Sequence, residues 1–232
     1  MTEPAPSRSV TPGAVTPGAV VFDVDGTLVD TVYQHVYAWW ESFGRAGHTV
    51  DGVAIHRTIG RGSHDLVEAL LGRPDEAVVE GHTKTWGELR ERCQAFPRVP
   101  ELLRHCAGRG LRVVLATSAS AEDLDFFARA VGAAEAIHGI VSAADVAQAK
   151  PSPEIVEKSL GVAGVPPRRA VMVGDTVYDI RAATAAGVPC IALLSGGIGR
   201  DELVAAGAAA IYASPAALLD AFEDSPLGGL LS

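Results

Sequence analysis

The chain has 232 residues, of which 48% are hydrophobic and 20% are charged, a composition typical of a globular protein with a substantial core. Its formal net charge of −9 argues against binding to nucleic acid or to an anionic membrane surface, since both need a basic face. The cysteines Cys93, Cys106 and Cys190 lack metal-ligand spacing and predict reduced thiols in a cytoplasmic protein. No apolar run reaches about 18 residues, so we expect no membrane helix.

Residues 1–18 are rich in Pro, Ser, Thr and Gly and predict a disordered tail. From Ala19 onward, short apolar runs alternate with helix-like segments. This alternation predicts an α/β fold with a doubly wound, Rossmann-like parallel sheet that helices cover on both faces. The predicted strands are 19–23, 111–117, 170–174, 189–194 and a short edge strand at 210–213. The predicted helices are 99–109, 121–131, 153–161, 177–186, 200–206 and 215–222.

Residues 32–96 interrupt this alternation, because they follow the first strand and contain no clear strand of their own. Their apolar spacing predicts helices at 33–43, 53–59, 63–71 and 75–93. We therefore expect an all-α cap of residues 32–96, inserted into a core of residues 19–31 and 97–232, that lies over the strand ends. An aromatic set is expected to form the core of the cap: Trp39, Trp40, Phe43 and Trp86.

Two acidic residues stand where the first predicted strand ends, Asp23 and Asp25. In an extended chain, residues two apart point to the same side. A carboxylate can attack a phosphoryl group directly, and a second carboxyl beside it can protonate the leaving oxygen and then deprotonate the attacking water. Two carboxylates so close also repel one another, which favours a cation between them, and Mg²⁺ prefers such oxygen ligands.

Further polar residues stand at other predicted strand ends. Asp175 follows the apolar run 170–174 and supplies a third carboxylate, and Asp179 lies one helical turn further on. Thr117 and Ser118 end the second strand with hydroxyl and backbone donors that suit phosphate oxygens. Lys150 precedes a proline, which biases its backbone away from helix, and its ammonium could neutralise the charge of a transferring phosphate. Each feature alone has a structural explanation as a cap or a turn, but their joint occurrence favours function.

The segment Asp23-Val-Asp-Gly-Thr-Leu-Val-Asp30 resembles the first motif of the haloacid dehalogenase superfamily of phosphohydrolases. Thr117-Ser118, Lys150-Pro151 and Gly174-Asp175-Thr-x-x-Asp179 are similar to its second, third and fourth motifs. The insertion is similar to the type 1 cap of phosphoglycolate phosphatases and β-phosphoglucomutases. The resemblance covers about residues 19–222.

The resemblance implies that Asp23 is the nucleophile and that Asp25 is the general acid and base. It also implies Mg²⁺ held by Asp23, the Asp25 backbone carbonyl and Asp175, with support from Asp179. Thr117, Ser118 and Lys150 would bind the phosphate. In the cap, the resemblance implies a structural, hinge or acid-positioning role for His35, and Arg61 lies in a segment that looks like the substrate-specificity loop.

The interpretation that follows is a Mg²⁺-dependent phosphatase that hydrolyses a small phosphomonoester, of the sugar phosphate or phosphoglycolate type, through an aspartyl-phosphate. A hexose-phosphate mutase of the β-phosphoglucomutase type stays open as the alternative, with a non-catalytic binding protein on the same fold as a third reading. The expected partner is a small phosphorylated metabolite, bound by a monomer or a weak homodimer, with no nucleic acid and no membrane involved.

Overall fold

A computed structural model of the protein describes residues 17–119 and 123–231. The predicted tail lies outside the described residues except for Pro17 and Gly18, which lead directly into the first strand. None of the helices in these two ranges combines the length and apolar character needed to cross a membrane.

Six parallel strands form one sheet, in the order β3-β2-β1-β4-β5-β6. Their bounds are β1 Ala19–Phe22, β2 Arg112–Ala116, β3 Ile137–Val141, β4 Ala170–Gly174, β5 Cys190–Leu193 and β6 Ala210–Tyr212. Five of the six match predicted strands. The prediction was wrong in omitting β3, whose sequence Ile-His-Gly-Ile-Val carries an exposed histidine and a glycine and so lacks the apolar signal of a buried strand. β3 lies at a sheet edge, where such residues are tolerated.

Side chains alternate between the two faces of the sheet, and helices cover both. On one face Phe22, Leu115 and Val173 pack in a cluster with residues of α5, α6 and α10. On the other face Val21 and Met172 pack in a second cluster with residues of α7, α8 and α9. The helices are α5 Val99–Gly108, α6 Leu124–Ala130, α7 Glu154–Ala163, α8 Val177–Ala185, α9 Arg200–Ala206 and α10 Pro215–Asp220. The doubly wound fold is thus confirmed.

After β1 the chain forms four helices before it reaches α5: α1 Val32–Arg45, α2 Gly52–Thr58, α3 Ser63–Leu71 and α4 Glu76–Leu89. They have a hydrophobic cluster of their own, in which Trp39, Phe43 and Ile55 are buried. The expectation for the aromatic set was wrong for Trp40, which is 53% exposed, because it lies on the outer face of α1. Trp86 is buried, but it packs in the cluster on the sheet rather than in that of the insertion.

The order of the strands places the ligand-binding crevice next to β1. The chain runs from β1 outward through β2 and β3 and then returns to pair β4 with the other side of β1. In parallel sheets the crevice beyond the carboxyl ends of the strands, where the order reverses, is where ligands bind. Phe22 is in register with both Leu115 and Val173, so the residues after β1, β2 and β4 meet at this edge.

Candidate active site

Asp23 follows β1 directly, and its side chain is buried against Lys150. Its backbone N–H donates to the Val173 carbonyl at 2.9 Å, which extends the β1–β4 ladder by one residue and fixes its position. The Lys150 ammonium donates to Asp23 Oδ1, and it lies 2.8 Å from Asp179 Oδ1. It also donates to the Ala116 carbonyl at the end of β2. Lys150 therefore links the ends of β1 and β2 to the first turn of α8 through charge-assisted contacts.

Asp175 has one carboxylate oxygen that accepts no hydrogen bond from the described part of the chain. Its Oδ1 accepts from Thr27 Oγ1 at 2.8 Å, whereas Oδ2 is buried and, among the described residues, has no hydrogen-bond donor. Gly26, in the left-handed region at φ +78°, and Gly196 lie against this oxygen, and a Cβ at either would come within 2.5 Å or 1.7 Å of it respectively. The backbone around Asp175 Oδ2 thus tolerates no side chain.

Oxygens of Asp23, Asp175 and Asp179 lie within 4.8 Å of one another. Three buried carboxylates with one lysine leave excess negative charge, and the unpartnered oxygen of Asp175 needs a cation or a proton. All the donors are oxygens, which is the ligand type that hard divalent cations prefer. The residues therefore fit a divalent metal ion.

Proton affinities in the cluster agree with this conclusion. Burial raises the pKa of Asp23 to about 7, with Asp179 and Asp25 adding to the effect and Lys150 opposing it. Burial and the neighbouring carboxylates raise the pKa of Asp175 well above its usual range. Burial lowers the pKa of Lys150, but Asp179 and Asp23 outweigh this and keep it charged, with a pKa above its ordinary value. Metal binding would replace the protons that the carboxylates otherwise attract.

Asp25 lies in a different environment and contacts the helices above the sheet. Its Oδ1 accepts from Thr31 Oγ1 at 2.7 Å and lies 3.2 Å from His35 Nε2. Burial raises the pKa of Asp25, but the His35 and Thr31 contacts outweigh it and hold the pKa below its ordinary value. His35 Nδ1 lies 3.1 Å from His82 Nε2, and the His35 ring stacks on Trp86 with centroids 3.9 Å apart. The side chain of Asp25 is thus oriented by α1 and α4.

Thr117 and Ser118 follow β2 at the same edge. Thr117 Oγ1 accepts from the Ala119 N–H at 3.1 Å, so this hydroxyl shapes the turn, and Ser118 lines the cavity. The β1–β2 ladder, in register up to Phe22 and Leu115, brings the residues that follow β2 to the same sheet edge as Asp23.

A cavity of about 830 Å³, part of it open to solvent, lies between the acidic residues and the helical insertion. Its floor includes Asp23, Asp25 and Asp179. Its opposite wall includes Trp39, Arg61, His82 and Trp86. Arg61 lies over the Tyr178 ring, 4.9 Å from its centroid, and its buried Nε has no hydrogen-bond acceptor among the described residues.

Two cavity residues had no signal in the sequence. His82 is one of several polar residues in α4, and nothing in its spacing distinguishes it. Asp123 accepts from Trp86 Nε1 at 3.0 Å and pairs with Arg90, but it lies well past the end of β2 and outside any motif. Their positions depend on the packing of α4 against the core.

The fold and the site define a doubly wound α/β protein with a buried acidic cluster that suits a divalent cation. Comparison with known proteins places this arrangement in a family. The family model of haloacid dehalogenase-like hydrolases matches residues 17–187. A phosphoglycolate phosphatase of Yersinia pseudotuberculosis serotype I (strain IP32953) is 33% identical over 187 residues, which cover 76% of this chain and 81% of that protein.

Two solved structures extend the comparison. A hydrolase from Pseudomonas syringae has a TM-score of 0.84 at 30% identity, covering 89% of this chain and 98% of that one. A mutant of CbbY from Rhodobacter sphaeroides, in complex with xylulose-(1,5)bisphosphate, has a TM-score of 0.73 at 28% identity. The match covers 87% of this chain and 96% of that one.

The chain belongs to the haloacid dehalogenase-like hydrolase family. The family assignment made from the sequence motifs is therefore confirmed, and so is the expected enzyme class, a phosphoric monoester hydrolase.

Proposed function

We propose that the protein hydrolyses a small phosphomonoester with Mg²⁺, through an aspartyl-phosphate on Asp23. The observation that carries this proposal is the position of Asp23, which follows β1, accepts from the Lys150 ammonium and belongs to the carboxylate cluster with Asp175 and Asp179. Asp25 stands two residues away with its Oδ1 already engaged. Two carboxyl groups thus lie on one wall of the cavity, which supports the roles proposed for them as nucleophile and proton donor.

In the first half of the reaction, an Asp23 oxygen forms a bond to phosphorus while the bond to the ester oxygen breaks. The leaving oxygen takes a proton from Asp25, which becomes a carboxylate. Since Thr31 and His35 occupy Oδ1 of Asp25, the proton would be held on Oδ2. The approach of the negatively charged phosphoryl group raises the proton affinity of Asp25 and so favours this protonated form.

In the second half, water gives a proton to Asp25 and its oxygen forms a bond to the phosphorus of the aspartyl-phosphate. The bond between phosphorus and the Asp23 oxygen breaks, which frees the Asp23 carboxylate and inorganic phosphate. Lys150 and the Ser118 region would hold the phosphate oxygens, together with the backbone around Thr117. Asp23, the Asp25 carbonyl and Asp175, with support from Asp179, would hold Mg²⁺, whose positive charge would let the anionic nucleophile and phosphate approach each other.

Residues 32–96 form, in this proposal, a cap domain that closes over the core of residues 19–31 and 97–232 and excludes bulk water during transfer. His35 orients Asp25 from the cap. Arg61 binds a second anionic group of the substrate, because it faces the cavity and its buried Nε has no acceptor within residues 17–119 and 123–231. Phosphoglycolate and xylulose-(1,5)bisphosphate, the compounds named with two of the relatives, each carry such a second group.

The setting proposed for this activity is the cytoplasm, with the enzyme as a monomer or a weak homodimer. Support for the compartment comes from Cys93, Cys106 and Cys190, which are buried and unpaired.

The decisive experiment measures phosphate release from a panel of sugar phosphates, phosphoglycolate and nucleotides, with Mg²⁺ and with EDTA. We expect release from one small phosphomonoester far above the others, and loss of that release in EDTA. Undiminished release in EDTA would contradict the metal assignment. No release from any substrate would contradict the phosphatase, and isomerisation of a hexose phosphate after addition of a glucose bisphosphate would then favour the mutase.

A further inference from the structure

One short stretch of the cap, residues 56–62, makes a series of contacts with the core. Tyr178 Oη donates to the Arg57 carbonyl at 3.1 Å, and Arg61 lies over the same tyrosine ring. A Cβ at Gly60 would lie 2.9 Å from Thr176 Oγ1. A Cβ at Gly62 would lie 2.7 Å from that of Ala149. The core partners in these contacts are immediate neighbours of Asp175, Asp179 and Lys150.

His56 makes the most directional of these contacts. Its Nε2 lies 2.8 Å from the Gly196 carbonyl, and since a carbonyl only accepts, Nε2 is the donor. The His56 ring also contacts the Tyr33 ring, with centroids 5.4 Å apart. His56 therefore connects α2 of the cap to the turn of residues 194–197 that follows β5.

The turn of residues 194–197 also lies against the Asp175 carboxylate, which belongs to the proposed metal site. Gly196 lies so close to Asp175 Oδ2 that a Cβ would come within 1.7 Å of it. Its neighbour Ser195 donates to the Gly26 carbonyl at 2.6 Å, in the loop that carries Asp25. A shift of this turn would move the wall against which Asp175 Oδ2 rests. The structure thus contains a continuous path from His56 through Gly196 to Asp175.

We propose that His56 is a positioning residue that couples cap closure to occupancy of the metal site. The proposal deepens the proposed function and rests on its metal assignment. When the cap is closed, the His56 hydrogen bond holds the 194–197 turn against Asp175, so the site binds the cation in its assembled form. When the cap opens, the turn loses this restraint and the site binds the cation more weakly.

Thermodynamic linkage makes the coupling reciprocal: if closure strengthens cation binding, the cation stabilises closure by the same factor. The coupling can therefore be measured in two ways, as the affinity of the site for the cation and as the protection of the cap from hydrogen exchange. Neither of them needs substrate or turnover.

The test measures Mn²⁺ binding to the full chain by electron paramagnetic resonance of free Mn²⁺, and hydrogen exchange of residues 52–62 with and without Mg²⁺. The variants are His56→Ala, which lacks the donor, and His56→Gln, whose side-chain amide can still donate. The matched control is His48→Ala, because His48 is a half-buried cap histidine whose partner, Asp75, also lies in the cap. Asp175→Asn reports whether the Mn²⁺ occupies the proposed site.

We expect His56→Ala to weaken Mn²⁺ binding by about 5-fold or more, the lower range of typical couplings. His56→Gln should retain most of the affinity, and His48→Ala should match the unchanged protein. Mg²⁺ should slow exchange in residues 52–62 of the unchanged protein and have a smaller effect in His56→Ala. If the unchanged protein and His56→Ala have equal affinities for Mn²⁺, and Mg²⁺ slows hydrogen exchange equally in both, the coupling is overturned. Coupling without phosphate release from any ester would instead refute the proposed hydrolysis and leave the coupling intact.

Discussion

The two walls of the cavity are built in different ways. In the core wall and directly behind it, Asp23, Asp175 and Thr117 each follow the last residue of a strand. The Lys150 ammonium joins Asp23 to Asp179. In the wall formed by the proposed cap, here called the cap wall, Trp39, His82 and Trp86 come from helices. Their rings are connected by stacking through His35, which contacts both His82 and Trp86. The core wall is fixed by the backbone ladder of the sheet, and the cap wall is fixed by packing between helices.

Because of this difference, we expect the core wall to carry out phosphoryl transfer and the cap wall to select the substrate. The core wall holds the charges that phosphoryl transfer needs, in positions that a parallel sheet supplies automatically at its carboxyl edge. The cap wall holds aromatic rings, imidazoles and one arginine, which would contact the rest of the substrate. Substitutions in the core wall should therefore abolish activity or stability, whereas those in the cap wall should redistribute activity among substrates.

The largest effect is expected for Asp23→Asn. An amide cannot form the acyl-phosphate bond, so phosphate release should fall by on the order of 10⁴-fold or more, as it does when other enzymes lose a nucleophile. The far-ultraviolet circular dichroism should not change, because the backbone bond from Asp23 to Val173 remains. Asp30→Asn, at an exposed position of the same loop, is the matched control and should keep its activity. Activity retained by Asp23→Asn would refute the nucleophile assignment.

Lys150→Met should cost the fold about 3–5 kcal/mol, the usual result of removing one partner from a buried ion pair. The lysine side chain is 1% exposed, so its loss leaves Asp23 and Asp179 buried without their counter-ion. Urea denaturation of the metal-free protein would measure the loss. Lys158→Met, at an exposed position of α7, should change stability by about 0.5 kcal/mol or less. A loss below about 1 kcal/mol for Lys150→Met would mean that water reaches the lysine.

The core wall could be predicted from the sequence because a short stretch of neighbouring residues is enough to identify its members. Apolar runs predict strands, and the polar residue that ends each run is placed by the sheet without knowledge of any other contact. This reasoning located Asp23, Asp175 and Thr117, whereas Lys150 was identified by the proline that follows it. It missed β3, whose edge position lets it keep His138 and Gly139 in place of apolar residues.

The cap wall could be predicted only in outline. Helical periodicity identified the four helices, but periodicity does not say how far each is rotated against its neighbours. Trp39 and Trp40 are adjacent, yet one is 3% exposed and the other 53%. The pairing of His35 with His82 joins residues 47 positions apart, and no local pattern encodes it. Contacts of this kind are decided by tertiary packing.

The raised pKa of Asp23 predicts a pH-dependent stability in the metal-free protein. A carboxyl whose pKa rises from 3.8 to about 7 on folding binds its proton more tightly in the folded state. Its contribution to stability is therefore fully present below about pH 3.8 and is lost as the pH rises towards 7. The free energy of unfolding of the unchanged protein, relative to that of Asp23→Asn, should fall across this window.

Mg²⁺ should reduce this dependence, because the cation takes the place of the proton on the carboxylate cluster. Urea denaturation between pH 4 and pH 8, with Mg²⁺ and with EDTA, measures both effects. A difference between the two proteins that rises with pH in EDTA would contradict the sign of the shift.

The smallest effect, and the one that separates the two walls most sharply, is expected for Arg61→Ala. A hydrogen bond to a charged group contributes about 1.5–3 kcal/mol, so kcat/KM should fall about 10- to 150-fold for a substrate with a second anionic group. For p-nitrophenyl phosphate, which has no second anionic group, the rate should stay nearly unchanged, because Lys150 and the carboxylates of the core wall are untouched. Arg61→Lys should recover part of the loss, since it keeps the charge but not the planar fork of donors. Equal losses for both substrates would show that Arg61 acts through the core wall, by its contact with Tyr178, rather than on the substrate.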